Sequence, residues 1–288
     1  MIELNNNVLR ILIHRKGAEI QSVFHQQHQL EYIWNGNPEH WGKHAPVLFP
    51  VVGQLKENSY RYRHKMYHLP RHGFARDMEF DMVTNTASSA SLLLNSNDDT
   101  CELYPFLFSF QINYSIEGNR LTNEYVVTNN GNDTLFFSVG GHPAFNVPLV
   151  ADTRFDDYYL ELEKPETLVR WPLDGGLLQT HPQPFMNNEK IIPLSHSLFS
   201  NDAVVLKHLQ SSSISLKSKR TTHGLMMRFE GFPFFGIWAA KNAPFVCLEP
   251  WCGIADSLYH NQQLEEKEGI ISLAAKDTWS ARWSVELF

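Results

Sequence analysis

Three short segments place titratable side chains inside apolar stretches marked by glycine or proline: Leu69–Asp77, Ser138–Asn146 and Phe245–Asp256. In the third, strand alternation sets Glu249 on the same face as Phe245 and Cys247. A carboxylate on such a face loses hydration, which raises its pKa and strengthens it as a base, while a nearby cation opposes that shift. Pro250 is expected to end the strand and hold the carboxylate at a sheet edge or cleft mouth. The alternative is a strand-end glutamate in solvent or paired with an arginine. In the second segment His142 follows two glycines and precedes a proline. Glycines allow close backbone approach to a ligand, and proline restricts His142 to extended conformations. An imidazole held there suits proton donation to a leaving or ring oxygen, or simply a hydrogen bond within a turn. His72, between Arg71 and Gly73, has the same two readings.

Together the segments supply two imidazoles, a carboxylate and the guanidinium groups of Arg71 and Arg76. Phe74, Phe145 and Trp251 flank them. Planar polar groups suit sugar hydroxyls and aromatic faces suit sugar C–H patches, which makes carbohydrate a candidate ligand that residue types alone do not establish. Other chemistries lack their signatures: there is no Walker A loop, dinucleotide glycine fingerprint, His-Glu-x-x-His or Gly-x-Ser-x-Gly. His25 and His28 come nearest to a metal-ligand spacing, without an evident third ligand, and read as an exposed polar stretch. The three cysteines, Cys101, Cys247 and Cys252, are too few and odd in number for a disulfide framework.

The elements that must position these groups read as β-strands. Phe110, Ile112, Tyr114 and Ile116 alternate with polar or mixed neighbours up to the turn Glu117-Gly118-Asn119. Leu121, Tyr125 and Val127 form the return, with Asn123 an exception. After Asn129–Asp133, Leu135, Phe137 and Val139 resume, so that the three runs read as an antiparallel meander. Similar pieces lie at Val8–Ile13, Tyr158–Glu163, Ile214–Lys217, Phe234–Trp238 and Phe245–Glu249. Helical periodicity is thin, limited to a turn or two within Asp256–Gly269. The expected fold is all-β, a large antiparallel β-sandwich forming one domain over residues 1–288.

Composition agrees with that class. The 288 residues are 43% apolar, enough for a sizeable core. With 24 basic and 31 acidic side chains the net charge is −7, which gives no global attraction to nucleic acid or an anionic membrane. No signal-like or bilayer-length apolar run appears, so a soluble cytoplasmic protein is expected.

The segments, with Gly17–Ile20, Tyr32–Trp34 and His44–Gly53, resemble the aldose 1-epimerase (galactose mutarotase-like) family, in its LacX-like branch, over nearly the whole chain. The motifs Arg71–Asp77, Gly141–Asn146 and Cys247–Trp251 occur in the family order and are specific in combination. The resemblance implies a β-sandwich with a sugar cleft on one sheet and cofactor-free interconversion of α and β anomers. It also implies Glu249 as general base on the C1 hydroxyl, His142 as general acid on the ring oxygen, and His72 as a further active-site histidine on the ring-oxygen side. Asp202 matches a hydroxyl-binding aspartate more loosely and otherwise reads as a surface turn residue. Arg76 and Arg71 are substrate-side arginines, and Trp238 and Phe145 are stacking rings or core.

One departure bears on substrate. Relatives of this branch usually carry a basic residue after Val-Gly where this chain has Gln54; if that position contacts substrate, the case for phosphorylated sugars is weakened, although Arg71, Arg76, Lys43 and Lys56 remain. A free hexose is therefore the expected substrate, with no metal or other cofactor. A hexose 6-phosphate, a non-catalytic sugar-binding protein and a polysaccharide-processing enzyme with a long groove are the competing readings. A monomer or homodimer is expected.

Overall fold

A computed structural model of residues 1–288 shows two large antiparallel sheets. The nine-stranded sheet runs, edge to edge, Gln183–Pro193, Tyr158–Arg170, Ser213–Ser218, Leu225–Arg228, Thr278–Leu287, Arg120–Asn129, Phe108–Glu117, Ser89–Asn95 and Asp81–Asn85. The second sheet carries the site. Its strands are β1 (Val47–Leu48), β2 (Val139–Gly141), β3 (Ala144–Asn146), β4 (Val204–Lys207), β5 (Phe234–Trp238) and β6 (Phe245–Cys252), in the order β4-β5-β6-β2-β1, with β3 also on β6. A four-stranded sheet from the first 31 residues lies beside them. Inward side chains of both large sheets, such as Phe110, Val127 and Val285 against Leu206, Ile237 and Leu248, belong to one apolar core of 69 buried residues. No helix is long and apolar enough to cross a membrane.

The alternation read from sequence is the alternation of burial. In Phe108–Glu117 and Arg120–Asn129 every second residue is buried, and the strands pair from Phe108↔Asn129 to Glu117↔Arg120. Gly118, at φ +55°, supplies the left-handed residue that their two-residue turn needs. Asn123 breaks the apolar pattern because its buried amide faces the hydroxyls of Tyr114 and Tyr125, at 3.4 and 3.5 Å. The third run departs from the expected meander. Leu135–Phe137 leaves the sheet to pair with Ile271–Leu273, and its place beside Arg120–Asn129 is taken by the last strand, Thr278–Leu287. Alternation fixes which face is buried, not which strand lies alongside.

Helix is scarce, with one turn where it was expected and one short α-helix where it was not. Asp256–Gly269 contains a single 3-10 turn, Leu264–Glu266. The one α-helix, Asp98–Leu103, is started by a reciprocal cap: Asn97 Oδ1 accepts from Thr100 N and Thr100 Oγ1 accepts from Asn97 N, both at 2.8 Å.

His25 and His28 are not an exposed pair. Their rings stack at 3.7 Å, and His223 closes on His28 at 4.6 Å. Burial and then mutual repulsion lower both pKa values below 6.5. A folded-state pKa below the unfolded one means the unfolded chain binds more protons. Stability is therefore complete above about pH 6.5 and lost as pH falls through that value. The melting temperature should fall between about pH 7.5 and pH 5.5, and His28→Gln should flatten that dependence. An unchanged slope would show that the cluster does not contribute.

Candidate active site

Along β6 the side chains divide strictly. Val246, Leu248 and Cys252 enter the main core, whereas Phe245, Cys247 and Trp251 join two small apolar clusters on the opposite face, with Glu249 between them. Pro250 does not end the strand, which continues to Cys252. Leu248 N–H donates to Pro143 O at 3.2 Å, so by alternation the Pro250 nitrogen faces the same edge. There β2 gives way to β3 at the turn Gly141-His142-Pro143, and no ladder bond is lost. Trp251 lies between two glycines: a Cβ on Gly140 would stand 2.6 Å from its ring, and one on Gly236 would collide with it. Gly141 in turn makes room for Trp283 and the Tyr125 hydroxyl. These glycines serve packing, not the ligand approach expected from the sequence.

The face opens into a cavity of about 630 Å³ lined by Glu249, His142, His72, Arg71, Arg76, Asp202 and Trp238 among others. Seven of the eight side chains expected at the site thus converge. Phe145 does not. It is fully buried in the main core and bridges to Ile33, so it is no sugar-stacking ring. The alternation of β2 carries through the turn into β3: Val139, Gly141 and Phe145 face the core, and Gly140, His142 and Ala144 the outer face.

His142 Nε2 and Glu249 Oε2 lie 3.3 Å apart, with side chains 10% and 2% exposed. Neither Glu249 Oε2 nor His142 Nδ1 has a hydrogen-bond partner in the protein. Burial drives both groups toward their neutral forms. It raises Glu249 well above 4.5, against the pull of the Arg71 charge, and lowers His142 to about 3, helped by Arg71 and Arg76. The His142 ring stacks on Trp41 at 4.8 Å and meets Trp238 edge-on at 5.6 Å. Trp41 is itself fixed through its carbonyl, which accepts from Trp34 Nε1 at 2.8 Å.

His72 sits edge-on to His142, 5.7 Å between ring centres. Its backbone is left-handed, φ +69°, in a turn tied down by His72 N→Gly53 O and Phe49 N→His72 O. Phe49 roots that turn in a cluster with Phe74, Phe108, Phe110 and Phe137. Gly53 N–H donates to His72 Nδ1 at 3.1 Å, which leaves the ring proton on Nε2. Burial first, then the charges of His142, Arg71 and Arg76, hold His72 well below 6.5. It is a neutral donor, not a base.

Arg76 is anchored by Nη2 donating to Arg71 O at 2.8 Å. Asp202 is also left-handed, φ +76°, and its Oδ1 accepts from Ala203 N at 2.7 Å. Gln54 does not line the cavity; its amide donates to Leu55 O and Asn58 Oδ1. Lys43 pairs with Asp77, and Lys56 donates to His260 O, so both lysines are engaged away from it. Unforeseen wall residues are Trp41, Lys241 and the hairpin carrying Leu173, Gly176 and Leu178. Of these only Trp41, a tryptophan in a polar irregular segment, carried a signal.

One His/Cys/Glu group has converging ligand atoms: His142, Cys247 and Glu249, within 4.8 Å of one another. Burial keeps the Cys247 thiol well above its ordinary 9.0 and therefore protonated, which disfavours it as a ligand.

The family model for aldose 1-epimerase matches residues 1–285. The chain belongs to that family. This aldose 1-epimerase family member is 32% identical over 296 aligned residues to the plasmid LacX protein of Lactococcus lactis, covering 99% of each chain. Two solved structures superpose with TM-scores of 0.94: a galactose mutarotase related enzyme from Lactobacillus acidophilus and a galactose mutarotase-like protein from Lactobacillus casei. The first is 36% identical, over 99% of this chain and 96% of that one; the second is 31% identical over the whole of both. The fold is the galactose mutarotase-like β-sandwich.

Proposed function

We propose that this protein is an aldose 1-epimerase that interconverts the α and β anomers of a free hexose by acid–base chemistry. The observation that carries the reading is the 3.3 Å approach of Glu249 Oε2 to His142 Nε2 inside a buried cavity. Between them the two groups hold one proton, on the imidazole or on the carboxyl. In the reactive arrangement Glu249 is a carboxylate, supported by the Arg71 charge and sugar hydroxyls, and His142 is an imidazolium stacked on Trp41.

Glu249 removes the proton of the C1 hydroxyl while His142 protonates the ring oxygen. The bond from C1 to the ring oxygen breaks and the C1 carbonyl forms. Both protein groups are then neutral, the state that burial favours. Rotation about C1–C2 presents the other carbonyl face, and reclosure returns each proton along the same route. His72 Nε2–H donates on the ring-oxygen side, and Trp238 offers its ring to the C–H face. Proton transfers of this kind contribute about 10²–10⁴-fold each, so His142→Asn should slow turnover by a factor in that range. A wild-type rate would return His142 to a structural role.

The pH profile tests the pair. The active form carries one proton. On the acid side it is lost when His142 and Glu249 are both protonated, and the His142 pKa is lowered to about 3. On the acid side kcat/KM should therefore show no limb at the ordinary histidine value near 6.5. On the alkaline side it should fall through the raised pKa of Glu249. Activity lost as pH falls through about 6.5 would contradict the assignment.

A further inference from the structure

Two side chains on one face of β6 each bury a polar atom that has no partner in the protein. One atom is Glu249 Oε2. The other is Nε1 of Trp251, two residues further along, whose ring lines the same cavity. Glu249 is 2% exposed and Trp251 6%. An indole nitrogen can only donate and an ionised carboxylate can only accept, and a buried donor left unpaired is costly. Solvent does not reach this nitrogen, so its partner has to be a protein acceptor beside it.

The glycines on either side fix where the N–H lies. Gly140 on β2 pairs with Trp251, and Gly236 on β5 pairs with Glu249. A Cβ on Gly140 would stand 2.6 Å from Trp251 Cδ1. One on Gly236 would collide with Cζ2 and Cη2 and stand 3.2 Å from Cε2. Cδ1 and Cε2 are the two carbons bonded to Nε1. The nitrogen edge of the indole thus crosses β6 from the row of Trp251 to the row of Glu249, with the base on the same face. The N–H is close enough to lower the Glu249 pKa, although it meets no protein acceptor in full hydrogen-bond geometry. The other groups facing Glu249 are Arg71, which lowers its pKa, Asp202, which raises it, His142, and the protonated Cys247 thiol.

We propose that Trp251 is a positioning residue for the base: its indole N–H donates to one oxygen of the ionised Glu249 carboxylate and leaves the other for the C1 hydroxyl. This rests on the function proposed above. The bond strengthens as Glu249 ionises, because a charged acceptor is the stronger one. It therefore favours the reactive arrangement, carboxylate with imidazolium, over the neutral pair. It also sets the direction from which the carboxylate meets C1, since the ring that carries the donor is clamped between Gly140 and Gly236.

The test replaces Trp251 by β-(3-benzothienyl)alanine, which keeps the bicyclic ring between the glycines and puts sulfur where the N–H was. Trp251→Phe, which loses both donor and shape, is the second variant. Mutarotation of glucose and galactose is followed as a function of pH. In the benzothienyl variant kcat should fall about tenfold with KM changed less than about twofold, the effect of losing one charge-assisted hydrogen bond. The state with carboxylate beside neutral imidazole loses its donor, whereas the neutral pair loses nothing. The alkaline limb should therefore move up by about one pH unit. Trp251→Phe should show the same changes together with a lower melting temperature. Wild-type kcat and limb in the benzothienyl variant, with destabilisation in Trp251→Phe, would reduce Trp251 to packing and overturn the proposal. A raised KM with an unmoved limb would assign the N–H to the sugar and overturn it too. If wild type turns over no sugar, the proposed function fails, and the titration of Glu249 decides the positioning separately. Its carboxyl stretch, isolated as the infrared difference from Glu249→Gln, should titrate about one pH unit higher in the benzothienyl variant. An unmoved titration would overturn the positioning role.

Discussion

Replacing Glu249 by glutamine is expected to cut catalysed mutarotation by about 10²–10⁴-fold while leaving fold and sugar binding intact. Glutamine matches the shape of glutamate but cannot accept the C1 proton. Glu249 is 2% exposed, and its Oε2 has no partner in the protein, so no native hydrogen bond on that atom is broken. Because burial already raises its pKa well above 4.5, a neutral amide removes the cost of ionising there. The variant should be at least as stable as wild type. Binding can be followed by tryptophan fluorescence, since Trp41, Trp238 and Trp251 line the cavity. A variant with normal turnover would remove Glu249 from the chemistry.

The largest expected loss of stability lies under the cavity wall. Lys267 Nζ donates to Asp256 Oδ1 at 2.7 Å and to Ile254 O at 2.5 Å, and both side chains of the pair are 1% exposed. Asp256 Oδ2 accepts from Lys56 N at 2.9 Å, and Asp256 N donates to Gln54 O. The pair thus joins the wall residues Ile254 and Ala255 to the turn that carries Gly53 and His72. Burial works against both charges and lowers Lys267. At Asp256 burial is outweighed by His260, Lys267 and the Lys56 N–H, which hold it at about 2. Lys267→Met strands that carboxylate and should cost about 3–5 kcal/mol in denaturant unfolding. Lys267→Met/Asp256→Leu should recover most of it, because an uncompensated charge, not a lost contact, causes the damage. A single-variant loss below about 1 kcal/mol would contradict this. For Asp256 the folded pKa lies below the unfolded value of 3.8, so its contribution is present above that pH and lost as pH falls toward about 2.

Much of this architecture is legible in the sequence because strand alternation is a direct record of burial. Phe234–Trp238 is a strand with the bounds its pattern predicts, and Phe245–Glu249 lies within β6. The three segments that meet at the cavity are legible for a related reason: a carboxylate, imidazoles and guanidiniums in apolar, glycine-marked stretches are costly unless they converge on something polar. Partners and phase are less legible. Leu135–Phe137 pairs with Ile271–Leu273 across a long sequence separation that no local pattern encodes. Phe145 belongs to the core, as the phase of Val139 and Gly141 carried through the turn dictates, and Pro250 stays in its strand because the gap between β2 and β3 spares its missing N–H. Trp41 and Lys241 reach the cavity from segments without periodicity, and Asp256 finds Lys267 only through the tertiary fold.

Ring opening and reclosure of an aldose by the Glu249–His142 pair can be followed directly. Optical rotation of freshly dissolved α-galactose and α-glucose, with and without the protein, tests it most directly. A faster approach to the same equilibrium rotation is expected, with the acceleration lost in Glu249→Gln. No acceleration of either hexose, or acceleration that survives in Glu249→Gln, would contradict it.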